Sequence, residues 1–146
     1  SKIPQVSKII QLGIRDYCEE ELKYCNEQQN KITVFYDKQV KTQLFEGKPW
    51  SLIAQDIINT LPDNVYISFD IDGLDPKLCP NTGTPVPGGL QIEQVLYLFE
   101  KIYEAKKKII GFDLCEVAPG NKGWDANVGA RILYKLSNLA IKSKFF

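Results

Sequence analysis

The sequence contains no histidine and no methionine in its 146 residues. The first absence removes the commonest general base and the commonest transition-metal ligand, so any site must be built from carboxylates, hydroxyls, backbone and thiols. The second extends to position 1, where Ser1 stands, and leads to the expectation that the chain is cut from a longer polypeptide or processed. Neither charge is in surplus, because 18 Lys and Arg balance 18 Asp and Glu. Without a basic excess to attract phosphates, nucleic acid and anionic membrane are not expected as partners. No apolar run approaches the roughly 18 residues of a membrane span, and Ser1–Ile10 lacks the basic-then-apolar layout of a signal peptide. The four cysteines include no CxxC pair. Cys18 and Cys25, on one predicted helix, would stand roughly 10 Å apart, too far for a disulfide. A reduced, cytoplasmic protein is the expectation.

What is present is ordinary for a globular chain: 44% hydrophobic and 25% charged residues, in a length that suits one core. Four short apolar runs read as strands: Lys8–Ile14, Ile32–Tyr36, Val65–Ile71 and Lys108–Leu114. Several are apolar at consecutive positions, as strands buried on both faces are. Helical patterns lie over Tyr17–Gln29, Pro49–Leu61, Ile92–Lys106 and Asp125–Lys142. The Pro49–Leu61 pattern has Leu52, Ile53, Ile57 and Leu61 at helical spacing, with Pro49 near its start and Pro62 past its end. The last pattern carries a stripe of Val128, Ile132, Leu133, Leu136 and Leu139. Strands alternating with helices predict an α/β fold, a parallel sheet with helices on both faces. Function in such sheets gathers at the C-terminal ends of the strands. The proline- and glycine-rich stretch Asp72–Gly89 breaks the rhythm at that edge, where long loops are often functional.

The third strand runs out through Ser68-Phe69-Asp70-Ile71-Asp72. A side-chain period of two puts Asp70 and Asp72 on one face, where two carboxylates repel each other unless a cation sits between them. An all-oxygen surround suits Mg²⁺, Mn²⁺ or Ca²⁺. Alternatively, this is a solvated strand end whose acids cap the next turn. Asp75-Pro76 reads as a turn opener. Glu116, at the end of the fourth strand, could orient a cationic substrate group; paired with a local lysine, it would be structural only. Asp113, three residues earlier, is expected to need a hydrogen-bonding partner if buried. Cys115 and Cys79 have no histidine to activate them as nucleophiles.

Three segments, SFDIDGLDP at Ser68–Pro76, TGTPVPGG at Thr82–Gly89 and DLCEVAP at Asp113–Pro119, together resemble the C-terminal signatures of arginases, agmatinases and formiminoglutamases. QLGIRD at Gln11–Asp16 resembles the strand that precedes them in that ureohydrolase family. The resemblance implies an arginase-like three-layer α/β/α fold, with 1–146 as the C-terminal portion of one catalytic domain holding four βα units. It implies a hydrolase with two Mn²⁺ ions whose bridging hydroxide attacks the guanidinium carbon and releases urea from an amine. By match, Asp70 is the carboxylate that bridges both metals and Asp72 a ligand of one. Glu116 is implied as the catalytic residue that holds the guanidinium, and Thr84 as a polar contact of the substrate. The remaining metal ligands of the family come from GGDHS-type and DAHxD-type motifs, which this histidine-free chain lacks. The isolated segment is therefore expected to be inactive, and the complete protein to be a homo-oligomer. Arginases tend to carry Asp where Cys18 stands, which leaves agmatine or another guanidino compound open as substrate. Rival readings are a scaffold protein that keeps the fold without metals, and a purely structural domain.

Overall fold

A computed structural model describes residues 3–118 and 120–145. Pro119, the last residue of the DLCEVAP segment, lies outside them. The chain runs through β1 (Ile9–Ile14), α1 (Glu19–Glu27), β2 (Ile32–Tyr36), α2 (Asp37–Phe45), α3 (Trp50–Thr60) and β3 (Asn64–Asp70). A 3-10 turn (Ile71–Gly73), α4 (Ile92–Glu104), β4 (Lys108–Cys115), α5 (Trp124–Lys142) and a second 3-10 turn (Ser143–Phe145) complete it. All four expected strands form. Helix α2 is an addition to the expected order: it follows β2 without a linker, and its residues Val40 and Leu44, four apart, meet the core.

Both strand pairings are parallel, β1 with β2 and β3 with β4. The strands thus form two pairs rather than one continuous ladder. At the junction, β1 meets the 3-10 turn that follows β3, and the link is made by side chain to backbone, as described below. In the second pair Asp70 lies opposite Cys115, which puts Glu116 one residue beyond the partner of Asp70.

The core lies between β3–β4 and the helices α3, α4 and α5. Ile109 is buried in one cluster with Ile53, Ile57, Val95, Phe99, Ile102, Val128, Ile132 and Leu136, and Val65, its partner on β3, is buried as well. Each such side chain, fully buried, stabilises the fold by about 1.5–3 kcal/mol. Phe69 and Phe99 meet edge to face with centroids 5.8 Å apart. Two expected stripe members turn outward: Leu52 and Leu133 are 53% and 46% exposed. Their places on the buried faces go to Ala54 and Gly129, small residues that let the helices approach closely. Gly129 sits against Val117, whose methyl groups lie 3.0–3.1 Å from where a Cβ would stand. Along β3 the alternate residues Tyr66, Ser68 and Asp70 point away from the core and are exposed. Among the described residues no helix is long and apolar enough to cross a membrane.

Candidate functional site

Asp70 ends β3, and Asp72 lies in the 3-10 turn rather than on the strand. The two carboxylates therefore do not share a strand face, as the period of two would have it. The turn brings them together instead: the Asp72 amide donates to Asp70 Oδ1 at 3.1 Å, so Asp70 caps the turn that carries Asp72. Capping uses one acceptor site of a carboxylate that has about four. Partial burial raises the pKa of Asp70, repulsion from the charges of Asp72 and Glu116 adds to the rise, and the Asp72 amide opposes it. Negative charge is thus in local excess at this strand end.

Glu116 follows β4 with φ +61°, one of two non-glycine residues of positive φ among those described. A left-handed backbone at a residue with a Cβ costs roughly 1–2 kcal/mol, and strain of this kind concentrates where a side chain must be aimed. Its Oε2 faces Gly83, 3.6 Å from where a Cβ would be. Glu116 is exposed, and no lysine pairs with it among the described residues. Thr84, next to Gly83, is exposed on the same loop. The fold therefore gathers Asp70, Asp72, Glu116 and the Gly83–Thr84 segment at the C-terminal edge of β3–β4.

The long loop is held at four places that sequence reasoning missed. Asp125, fully buried in the first turn of α5, accepts from the Asn81 amide at 3.0 Å and from Asn81 Nδ2 at 2.7 Å. Trp124 Nε1 donates to the Lys77 carbonyl at 3.1 Å. At the neck of the loop, Leu74 and Leu90 form a lone parallel bridge, with Asp75 N–H donating to Leu90 O (2.9 Å) and Leu90 N–H to Gly73 O (3.1 Å). Gly89 is required there, since its φ is +87° and a Cβ would fall 2.5 Å from Leu74 O. Finally, Arg15 at the end of β1 donates to the carbonyls of Asp72, Leu74 and Val86. The sequence signal for Asp125 was its place at the start of a predicted helix. For Arg15 it was the QLGIRD segment, whose arginine carried no assigned role.

Asp75 is the expected turn opener: Oδ1 accepts from the Lys77 amide at 3.0 Å and Oδ2 from Gln91 Nε2 at 3.1 Å. The Lys77 amide, chiefly, holds its carboxyl below the usual range. Asp113 does find partners, on the open face of the sheet. It accepts from Ser68 Oγ at 2.8 Å and Cys115 Sγ at 3.3 Å. Hydrogen bonding from Ser68 leads in lowering its pKa, and the same carboxylate pushes the Cys115 thiol up. Burial, first of all, raises Cys79 to about 11. Neither thiol is primed as a nucleophile. Cys18 is exposed at the N-terminus of α1, and all four cysteines are free.

This geometry has close counterparts. The family model described as the arginase family matches residues 1–137. The chain belongs to the arginase family. It is 32% identical over 126 residues to the N(1)-aminopropylagmatine ureohydrolase of Thermus thermophilus, covering 86% of this chain and 40% of that protein. Proclavaminate amidino hydrolase from Streptomyces clavuligerus superposes with a TM-score of 0.74 at 28% identity, covering 92% of this chain and 42% of the other. Arginase from Bacillus caldovelox gives 0.74 at 27% identity, covering 90% and 43%. The chain thus spans about 40% of the length of these relatives, and its parallel strands with flanking helices are part of the arginase fold.

For an arginase-family chain the donor set is partial. Asp70 and Asp72 offer adjacent oxygen ligands with uncompensated charge, which fits a hard divalent cation such as Mn²⁺. Among the described residues, however, no group of three His, Cys, Asp or Glu side chains is arranged to hold a metal ion.

Proposed function

We propose that this chain supplies the carboxylate side of a manganese-dependent ureohydrolase site, in which a guanidino compound is hydrolysed to an amine and urea. The observation that carries the reading is the juxtaposition of Asp70 and Asp72 at one strand end. There Asp70 is raised in pKa by burial and by its acidic neighbours, within a chain of the arginase family. Asp70 and Asp72 would hold Mn²⁺, which when bound supplies activated water at neutral pH. Glu116, whose left-handed backbone precedes a carboxylate that faces Gly83, would accept hydrogen bonds from the guanidinium and fix its orientation. Thr84 would add a neutral polar contact at the same rim. The loop clamps at Asn81 and Leu74–Leu90 keep these groups in register and exclude the slack that would blunt orientation.

Two carboxylates are too few to retain Mn²⁺ tightly. The remaining ligands are proposed to come from histidine-bearing segments of the GGDHS and DAHxD type, as the terminal portion of one catalytic domain requires. The complete protein is proposed to be a cytoplasmic homo-oligomer. With Cys18 in place of an acid near the β1 exit, the substrate is proposed to be agmatine or a related guanidino amine rather than arginine. Urea release from agmatine and from arginine, with Mn²⁺ in excess, tests the reading: this chain alone should give none, and robust turnover would refute it. The lack of a third ligand among the described residues favours one second reading, a binding protein that keeps the fold without metal. A chain indifferent to Mn²⁺ would support that reading.

A further inference from the structure

The guanidinium of Arg15 is spent on backbone. Nη2 donates to Asp72 O at 2.6 Å and Leu74 O at 3.2 Å, Nε to Val86 O at 3.0 Å, and Nη1 to Gly13 O at 3.3 Å. These four carbonyls belong to three separate stretches: the exit of β1, the turn and neck after β3, and the returning arm of the loop. No carboxylate pairs with Arg15 among the described residues. A planar fork with five donors can satisfy such a set, and an ammonium cannot, because it has three donors on one atom. The neck is also sterically closed around this side chain. A Cβ on Gly88 would stand 3.4 Å from Arg15 Cδ and 2.7 Å from Oδ2 of Asp37, a buried carboxylate at the start of α2. The first strand pair packs on the core through Ile10, Leu12 and Phe35, and its hydrogen bonds to the turn after β3 come from this one side chain, which ends on the carbonyl of Asp72.

We infer that Arg15 is a positioning residue: from the first strand pair it fixes the Asp72 turn and the neck of the 75–89 loop, and so sets the Asp72 carboxylate relative to Asp70 and Glu116. The Asp72 half of this inference rests on the reading of Asp72 as a manganese ligand; the neck half does not. Removing the fork leaves the Asp72 and Leu74 carbonyls without their donor and frees the returning arm at Val86. The neck is then closed by the Leu74–Leu90 bridge alone, while the outer part of the loop stays clamped to α5 through Asn81 and Lys77. Ligand-orienting groups of this kind act on metal affinity without touching the metal.

The test uses the full chain as wild type, Arg15→Gln, Arg15→Lys and Asp72→Ala, with two readouts. The first is amide hydrogen exchange at Asp75 and Leu90, whose N–H groups close the neck, compared with Ile109 in the core. The second is Mn²⁺ titration at a temperature where every variant is folded. Arg15→Gln should speed exchange at both neck amides while Ile109 keeps its wild-type rate, and should weaken Mn²⁺ binding by about 10–100-fold. Arg15→Lys should recover part of both losses, and if Arg15→Gln does not fold, the lysine variant carries the test with a smaller effect. Unchanged neck exchange in both arginine variants overturns the inference. So does Mn²⁺ uptake that Asp72→Ala abolishes but Arg15→Gln leaves at wild-type affinity. A wild-type chain that takes up no Mn²⁺ overturns the Asp72 half together with the metal reading, and exchange then decides the neck half alone.

Discussion

Replacing Asp125 with alanine should destabilise this chain more than its distance from any chemistry suggests. The side chain is fully buried and accepts two hydrogen bonds from Asn81, at 3.0 and 2.7 Å. Hydrogen bonds to a charged group are worth about 1.5–3 kcal/mol each. An acid in the first turn of a helix adds about 0.3–1 kcal/mol by its interaction with the helix dipole. Asn81 is exposed, so water replaces part of what it loses, and the lower end of the sum, about 3 kcal/mol, is the expected cost. At roughly 2–4 °C per kcal/mol for a chain of this size, the midpoint of thermal unfolding should fall by about 6–12 °C. Urea unfolding of wild type, Asp125→Ala, Asn81→Ala and the double variant closes a cycle, with an expected coupling of about 1.5 kcal/mol. A single-variant loss under about 1 kcal/mol, or additive effects in the double variant, would refute the clamp.

Two further outcomes follow from the site. Glu116→Gly should raise stability by about 1 kcal/mol in thermal unfolding, because it relieves a left-handed backbone at a residue with a Cβ; a loss of stability would remove strain from the account of that residue. Asp113 has a lowered pKa, so its stabilisation is present above the ordinary carboxylate range and is lost as pH falls through the lowered value. The stability difference between wild type and Ser68→Ala should therefore be full above about pH 5 and shrink in acid; a difference independent of pH would contradict it.

The sequence carried the elements that periodicity can report. The helical pattern over Ile92–Lys106 buries Val95, Phe99 and Ile102, the last stripe buries Val128, Ile132, Leu136 and Leu139 but not Leu133, and the four apolar runs are strands. Periodicity failed where the backbone changes geometry within a residue or two. Asp72 leaves the strand for a 3-10 turn, and its nearness to Asp70 comes from a cap, not from a pleat. Helix α2 escaped notice because three apolar residues in nine, one of them the exposed Phe45, make a weak signal. The candidate residues Asp70, Asp72 and Glu116 stand at or just past strand ends and Thr84 in the long loop, and the fold gathers them at one edge. The groups that hold them there were not legible. Arg15 reaches across 57 residues to Asp72 and Asp125 across 44 to Asn81, and such separations leave no trace in local spacing.

The most direct test of the central claim is a Mn²⁺ titration of this chain against its Asp70→Ala and Asp72→Ala variants, followed by calorimetry or by the spin-resonance signal of free Mn²⁺. Weak but saturable uptake by the wild type, lost in both variants while their far-UV spectra stay native, is the predicted result. Uptake that is the same in all three proteins, or absent from the wild type, would contradict the assignment of these two carboxylates to a metal centre.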